Sequence, residues 1–72
     1  MSTPDIRVQF GNRVRALRQE RGWSQVEMAD FLAMDRSYLS EIETGKKDPS
    51  LTMLKLISDG LSITISRLID GL

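Results

Sequence analysis

The side chains best suited to chemistry in this sequence stand together between Arg36 and Glu41. Arg36, Ser37, Tyr38, Ser40 and Glu41 all carry hydrogen-bonding groups, and Leu39 and Ile42 punctuate them three residues apart. On a helix this spacing turns the two apolar residues inward and leaves the polar ones outward. Such an outward set could read the edges of nucleic-acid bases, where arginine meets guanine bidentately and a carboxylate accepts from cytosine. Any helix face turned to water has a similar composition, so spacing alone leaves both readings open.

Catalysis fits poorly. Glu41 and Glu43 are two residues apart, so on a helix they diverge and cannot act together on one substrate. Gly45-Lys46 looks like the end of a phosphate-binding loop, but that motif needs a glycine where the chain has Ser40, and no strand precedes it. The chain has no Cys and no His, which removes disulfides, thiolate nucleophiles and the commonest general base and metal ligand. We therefore expect no enzyme, no cofactor and no metal site.

The elements that must position these residues follow from length and punctuation. The 72 residues form one small domain, 1–72, and their apolar fraction of 40% is ordinary for a packed globule. No apolar run approaches the roughly 18 residues of a membrane span, and the N-terminus has no signal-like apolar block; a cytoplasmic protein is the expectation. Thr3-Pro4-Asp5 reads as an N-cap, a first-turn proline and an acid at the start of a helix over about 4–21, with Ile6, Phe10, Val14 and Leu17 on one face and Gly22 as its stop. Ser24-Gln25-Val26-Glu27 fits a capping box opening a second helix with Met28, Ala29 and Leu32 inward. Asp35 caps a third, which Gly45 ends, and Lys46-Lys47-Asp48-Pro49 is a loop. Ser50 caps a fourth helix bearing Leu51, Leu54, Ile57 and Leu61, and Thr64 a short fifth through Leu68 and Ile69. The fold class is thus all-α, five short helices around one core, with a helix-turn-helix at about 25–44.

Three blocks at fixed spacing carry a resemblance. Trp23-Ser24-Gln25-Val26-Glu27-Met28-Ala29, Ser37-Tyr38-Leu39-Ser40-Glu41-Ile42-Glu43-Thr44-Gly45 and Pro49-Ser50-Leu51, followed by Leu54 and Ile57, resemble the Cro/repressor (XRE-type) helix-turn-helix family over about residues 6–70. The resemblance implies a five-helix regulator that binds a palindromic double-stranded DNA operator as a homodimer. Arg36 and Ser37 match the first reading positions and Glu41 a third; Tyr38 would set its ring against a thymine methyl or a sugar. Gln25 matches a glutamine that touches phosphate and braces the reading helix. Ser24, Ser40, Lys46, Lys47, Ser50 and Thr52 are the further phosphate-contact candidates. Arg18 and Glu43 match a pair that forms an internal salt bridge in relatives. The family often has glycine at the position of Ala33; alanine in a left-handed conformation would cost roughly 1 kcal/mol or more, which points to a turn of different shape. Phe31 sits where many relatives are polar, as an extra core residue or an exposed apolar contact.

One reading helix contacts too few bases for useful specificity, so two copies should combine about a twofold axis. Leu56, Ile65 and Leu72 are apolar residues left over by the last two helices, with Ile63 and Ile69 shared, and we expect a dimer interface over about 51–72. So compact a regulator resembles phage repressors and restriction-modification controller proteins, and occupancy would then follow concentration. RNA polymerase is a further candidate partner, and a helical protein-interaction module such as an antitoxin or co-regulator is the competing class. Ten Lys plus Arg against ten Asp plus Glu give zero net charge, yet residues 6–22 hold five arginines and one glutamate. The expectation is an uneven distribution, with Arg36, Lys46 and Lys47 joining these arginines on the DNA-facing side and weak non-specific binding.

Overall fold

Each helix begins on a short polar side chain whose oxygen takes an otherwise orphaned backbone N–H. The computed structural model describes residues 5–72. Asp5, Ser24, Asp35, Ser50 and Thr64 accept from the N–H groups of Arg7, Glu27, Ser37, Met53 and Arg67, and so start α1 (Ile6–Glu20), α2 (Gln25–Phe31), α3 (Arg36–Glu43), α4 (Leu51–Gly60) and α5 (Ile65–Leu68). At α2 the Glu27 carboxylate also accepts from the Ser24 N–H at 2.9 Å, completing the capping box. The first cap differs from the expected one: Asp5 is itself the N-cap, and Thr3 and Pro4 lie outside the described residues. Arg7 hydrogen-bonds the Asp5 carboxylate through side chain and backbone and holds its pKa down at about 2.

Four helices stop by the same device. Behind each, one residue takes a left-handed conformation, and two N–H groups turn back onto the last-turn carbonyls. Gly22 and Gly45 fill that position at φ 71° and 78°, as glycine does without strain. Ala33 and Ser62 fill it at φ 54° and 57°. At Ala33 the pattern is complete, with Ala33 N–H on Asp30 C=O at 3.2 Å and Met34 N–H on Ala29 C=O at 2.8 Å. The turn between α2 and α3 therefore has the left-handed shape after all, because two hydrogen bonds outweigh the crowding of one methyl group.

Phe10, Val14 and Leu17 from α1 meet Met28, Ala29 and Leu32, then Leu39 and Ile42, with Ile57, Leu61 and Leu68 closing the core. Two expected core residues are outside it. Ile6 precedes the first buried turn and is 62% exposed, and Leu51, at the first position of α4, is 75% exposed. Gly11 sets how closely α1 approaches α3: a Cβ there would lie 2.4 Å from the Ile42 carbonyl oxygen, so only glycine fits without moving backbone. No described helix is long and apolar enough to cross a membrane.

Candidate nucleic-acid interface

α2 and α3 meet across the Ala33 turn, and the end of α3 is fixed by a buried charge. Glu43 is 2% exposed. Arg18 binds both its oxygens, Nε to Oε2 at 2.7 Å and Nη2 to Oε1 at 3.0 Å. Gln25 Nε2 adds a bond to Oε1 at 3.1 Å, and Arg15 Nε lies 3.5 Å from the same oxygen. Arg18 also donates to the Trp23 carbonyl at 2.8 Å, so one guanidinium joins α1, the turn before α2 and the end of α3. Burial pushes the Glu43 carboxyl pKa up, but hydrogen bonds from Arg18 and Gln25 and the Arg18 charge outweigh it, so the net displacement is downward. The Arg18 pKa is raised by its bond to Glu43. A carboxylate buried with this many donors is a rigid joint, and no buried side-chain polar atom among the described residues lacks a partner.

That joint holds α3 with Leu39, Ile42 and Glu43 inward. Arg36 and Ser37 project from its N-terminal end and are exposed. Tyr38 packs against the edge of the core, half-buried, and Ser40 is half-buried too. Glu41 is half-buried and pairs with Lys47, Nζ to Oε2 at 3.3 Å, across the turn closed by Gly45. Lys46 and Thr52 are exposed. Ser24 and Ser50 are exposed helix caps, each with its oxygen accepting a backbone N–H and its O–H still able to donate. Gln25 is half-buried, with its amide turned to Glu43, so it links the start of α2 to the end of α3. Ser50 and Thr52 open α4, where Thr52 borders Leu51 and Leu56; the other candidates lie on α3, at the start of α2 or in the loop after α3, whereas the expected dimer residues lie on α4, α5 and the segments beside them. There Leu56, Ile69 and Leu72 are 40%, 40% and 39% exposed, Ile65 is half-buried and Ile63 packs on the core. Leu51 joins Leu56 on the exposed side of α4, where Lys55 and Asp59 pair at 3.1 Å.

The arginines of residues 6–22, four on α1 and Arg21 just after it, depart from the expected DNA-facing basic stretch. Arg7 pairs with Asp5 at 2.7 Å. Arg13 donates to the Arg67 carbonyl at 2.8 Å and the Leu68 carbonyl at 3.3 Å, capping α5. Arg21 donates to the Leu61 carbonyl, capping α4. With Arg15 and Arg18 on Glu43, all five are engaged within the protein. Apart from Asp5, their targets are distant in sequence; the family resemblance implies the Arg18–Glu43 pair, and for the others the only local hint was the surplus of arginine over lysine in α1, which suits fixed, bidentate partners. Phe31 is 63% exposed and lies against Trp23, ring centroids 5.1 Å apart and tilted by 39°, so it is the surface contact rather than the core residue.

Comparison with known proteins identifies the family and the fold. Residues 14–68 match the family described as helix-turn-helix. The control protein C.MunI of a Mycoplasma species is 44% identical over 69 residues, which cover 94% of this chain and 93% of that protein. The crystal structure of the restriction-modification controller protein C.AhdI from Aeromonas hydrophila superposes with a TM-score of 0.81 at 35% identity, covering 86% of this chain and 94% of that one. SinR, a master regulator for biofilm formation solved in complex with DNA, superposes at 0.78 with 34% identity, covering 85% of this chain and 98% of that one. The chain belongs to the XRE-type helix-turn-helix family of DNA-binding transcription regulators.

Proposed function

We propose that this protein binds a palindromic operator as a homodimer, with α3 of each copy in the major groove. The observation that carries the proposal is the pairing of a rigid inner face with an open outer one: Glu43 is locked at the inner end of α3, and Arg36 and Ser37 stand exposed at the other. A helix with its side chains is about 10–12 Å across and the major groove about 12 Å wide, so such a helix can lie in the groove, and in this motif its N-terminal residues reach the base edges. Arg36 would bond guanine O6 and N7, with Ser37, Tyr38 and Glu41 as the remaining reading residues. Ser24, Gln25, Ser40, Lys46, Lys47, Ser50 and Thr52 would hold phosphates, the caps aided by the positive ends of their helices. Leu56, Ile63, Ile65, Ile69 and Leu72, joined by Leu51, would form the twofold contact that sets half-sites about one helical turn apart.

The regulatory role we propose is that of a restriction-modification controller, because the match extends over nearly the full length of C.MunI and C.AhdI. The chain spans only 41% of the phage phi105 immunity repressor, a relative at 37% identity. Selection from random duplexes, followed by gel shifts at two salt concentrations, tests the proposal. One enriched palindrome, with affinity falling steeply in salt, is the expected result. Arg36→Ala should then lose about 1 to 3 kcal/mol and relax the preference at one base of each half-site. Ile65→Glu or Leu56→Glu should give a folded monomer with weak operator binding; variants that stay dimeric would refute the interface. The exposed Phe31 beside Trp23 favours the competing reading, a protein-interaction module. Selection that enriches no sequence would decide for it.

A further inference from the structure

The Glu41–Lys47 ion pair has consequences for how the interface discriminates. We propose that it is a specificity device: it withholds one phosphate-binding cation from generic duplex and yields it where Glu41 meets a base-edge donor. The inference rests on α3 entering the groove as proposed above.

Glu41 lies one turn after the exposed Ser37, so it shares that residue's outward side of α3. Its backbone carbonyl accepts the Lys46 N–H at 2.9 Å, which closes the turn and delivers the next residue, Lys47, back onto its carboxylate. Lys47 Nζ is 3.3 Å from Oε2, with the two side chains 48% and 40% exposed. Among the described residues Glu41 pairs with no other cation, and Arg36 takes no part. A pair this exposed is weak enough to be exchanged at each encounter with DNA. If Lys47 leaves for a phosphate, the Glu41 carboxylate remains unpaired beside a polyanion. On generic duplex that repulsion opposes the exchange. Where the groove presents the amino group of cytosine, the carboxylate accepts from it, and both charges have partners. The lysine then contributes to affinity mainly on the correct sequence.

The test uses the full chain, the duplex that it selects, and a random-sequence duplex of equal length. Affinities are measured across a salt series for wild type, Glu41→Gln, Lys47→Gln and the double variant, each confirmed folded by thermal melting. Glu41→Gln should raise affinity for the random duplex about tenfold and for the selected duplex by much less. It should also steepen the random-duplex salt dependence by about 0.9 in log–log slope, the increment expected when one more phosphate is neutralised. In the double variant both changes should disappear. Equal increases in affinity on both duplexes, an unchanged slope, or an increase that survives without Lys47 would overturn the device while leaving the operator intact. A wild type that enriches no duplex would overturn the DNA-binding reading itself, and this inference with it.

Discussion

The cations of α1 and those of α3 with its following loop are used in opposite ways. α1 lies across the C-terminal ends of three other helices, where spare carbonyls and negative dipole ends collect. Arg18 takes the last residue of α3, Arg21 the carbonyl after α4, and Arg13 the carbonyls at the end of α5. Arg36 and Lys46 make no ion pair among the described residues, and Lys47 reaches only Glu41. The most arginine-rich segment is therefore scaffold, and the segment with fewer cations keeps Arg36 and Lys46 exposed. A count of charges along the chain reports composition; which charges a partner can feel depends on what each already touches.

Breaking the scaffold side should have the largest effect. Glu43→Ala removes the carboxylate that two arginines and Gln25 share, and should cost about 3 to 5 kcal/mol by urea denaturation, since it leaves buried donors and charge without a partner. Arg36→Ala should stay within about 0.5 kcal/mol of wild type in the same assay. Equal stabilities would remove the distinction between the two regions. The pH dependence follows from the depressed Glu43 pKa. Its contribution is complete above the unfolded carboxyl value of 4.5 and is lost as pH falls toward the lower folded value. Thermal melts should thus show stability declining below that pH, and Glu43→Gln should flatten part of the decline.

Smaller effects are expected at the arginine caps and at the exposed Lys46. Arg13→Ala and Arg21→Ala should each cost about 1 kcal/mol of stability through lost caps and leave the salt dependence of DNA binding unchanged. Lys46→Ala should do the reverse, lowering the slope by about 0.9 with no shift in the melt. A changed slope in the Arg13 or Arg21 variant would mean that α1 contacts DNA. The smallest change lies at the turn that joins α2 to α3. Ala33→Gly relieves the methyl group at φ 54° and should stabilise by up to about 1 kcal/mol in chemical denaturation, the benefit reduced by the extra freedom of glycine in the unfolded chain.

The helices were legible because their signals are local. Ser24, Asp35, Ser50 and Thr64 each cap a helix within three residues of themselves, and Gly22 and Gly45 stop one. Periodicity placed Leu39 and Ile42 inward and left Arg36 and Ser37 outward. It misplaced Ile6 and Leu51, since the first turn of a helix can satisfy the spacing with nothing packed over it. The turn at Ala33 was misjudged because the residue type disfavours a conformation that two hydrogen bonds impose.

Element order, the caps and the polar face of α3 follow from neighbours three or four residues apart. Which charges are already engaged depends on how the helices pack. Arg13 finds its partners 54 and 55 residues away and Arg21 finds Leu61 40 residues away, while Arg18 with Glu43, 25 residues apart, is implied only by the family resemblance. Such pairings depend on where α1 crosses the other helices, and no local rule carries that information.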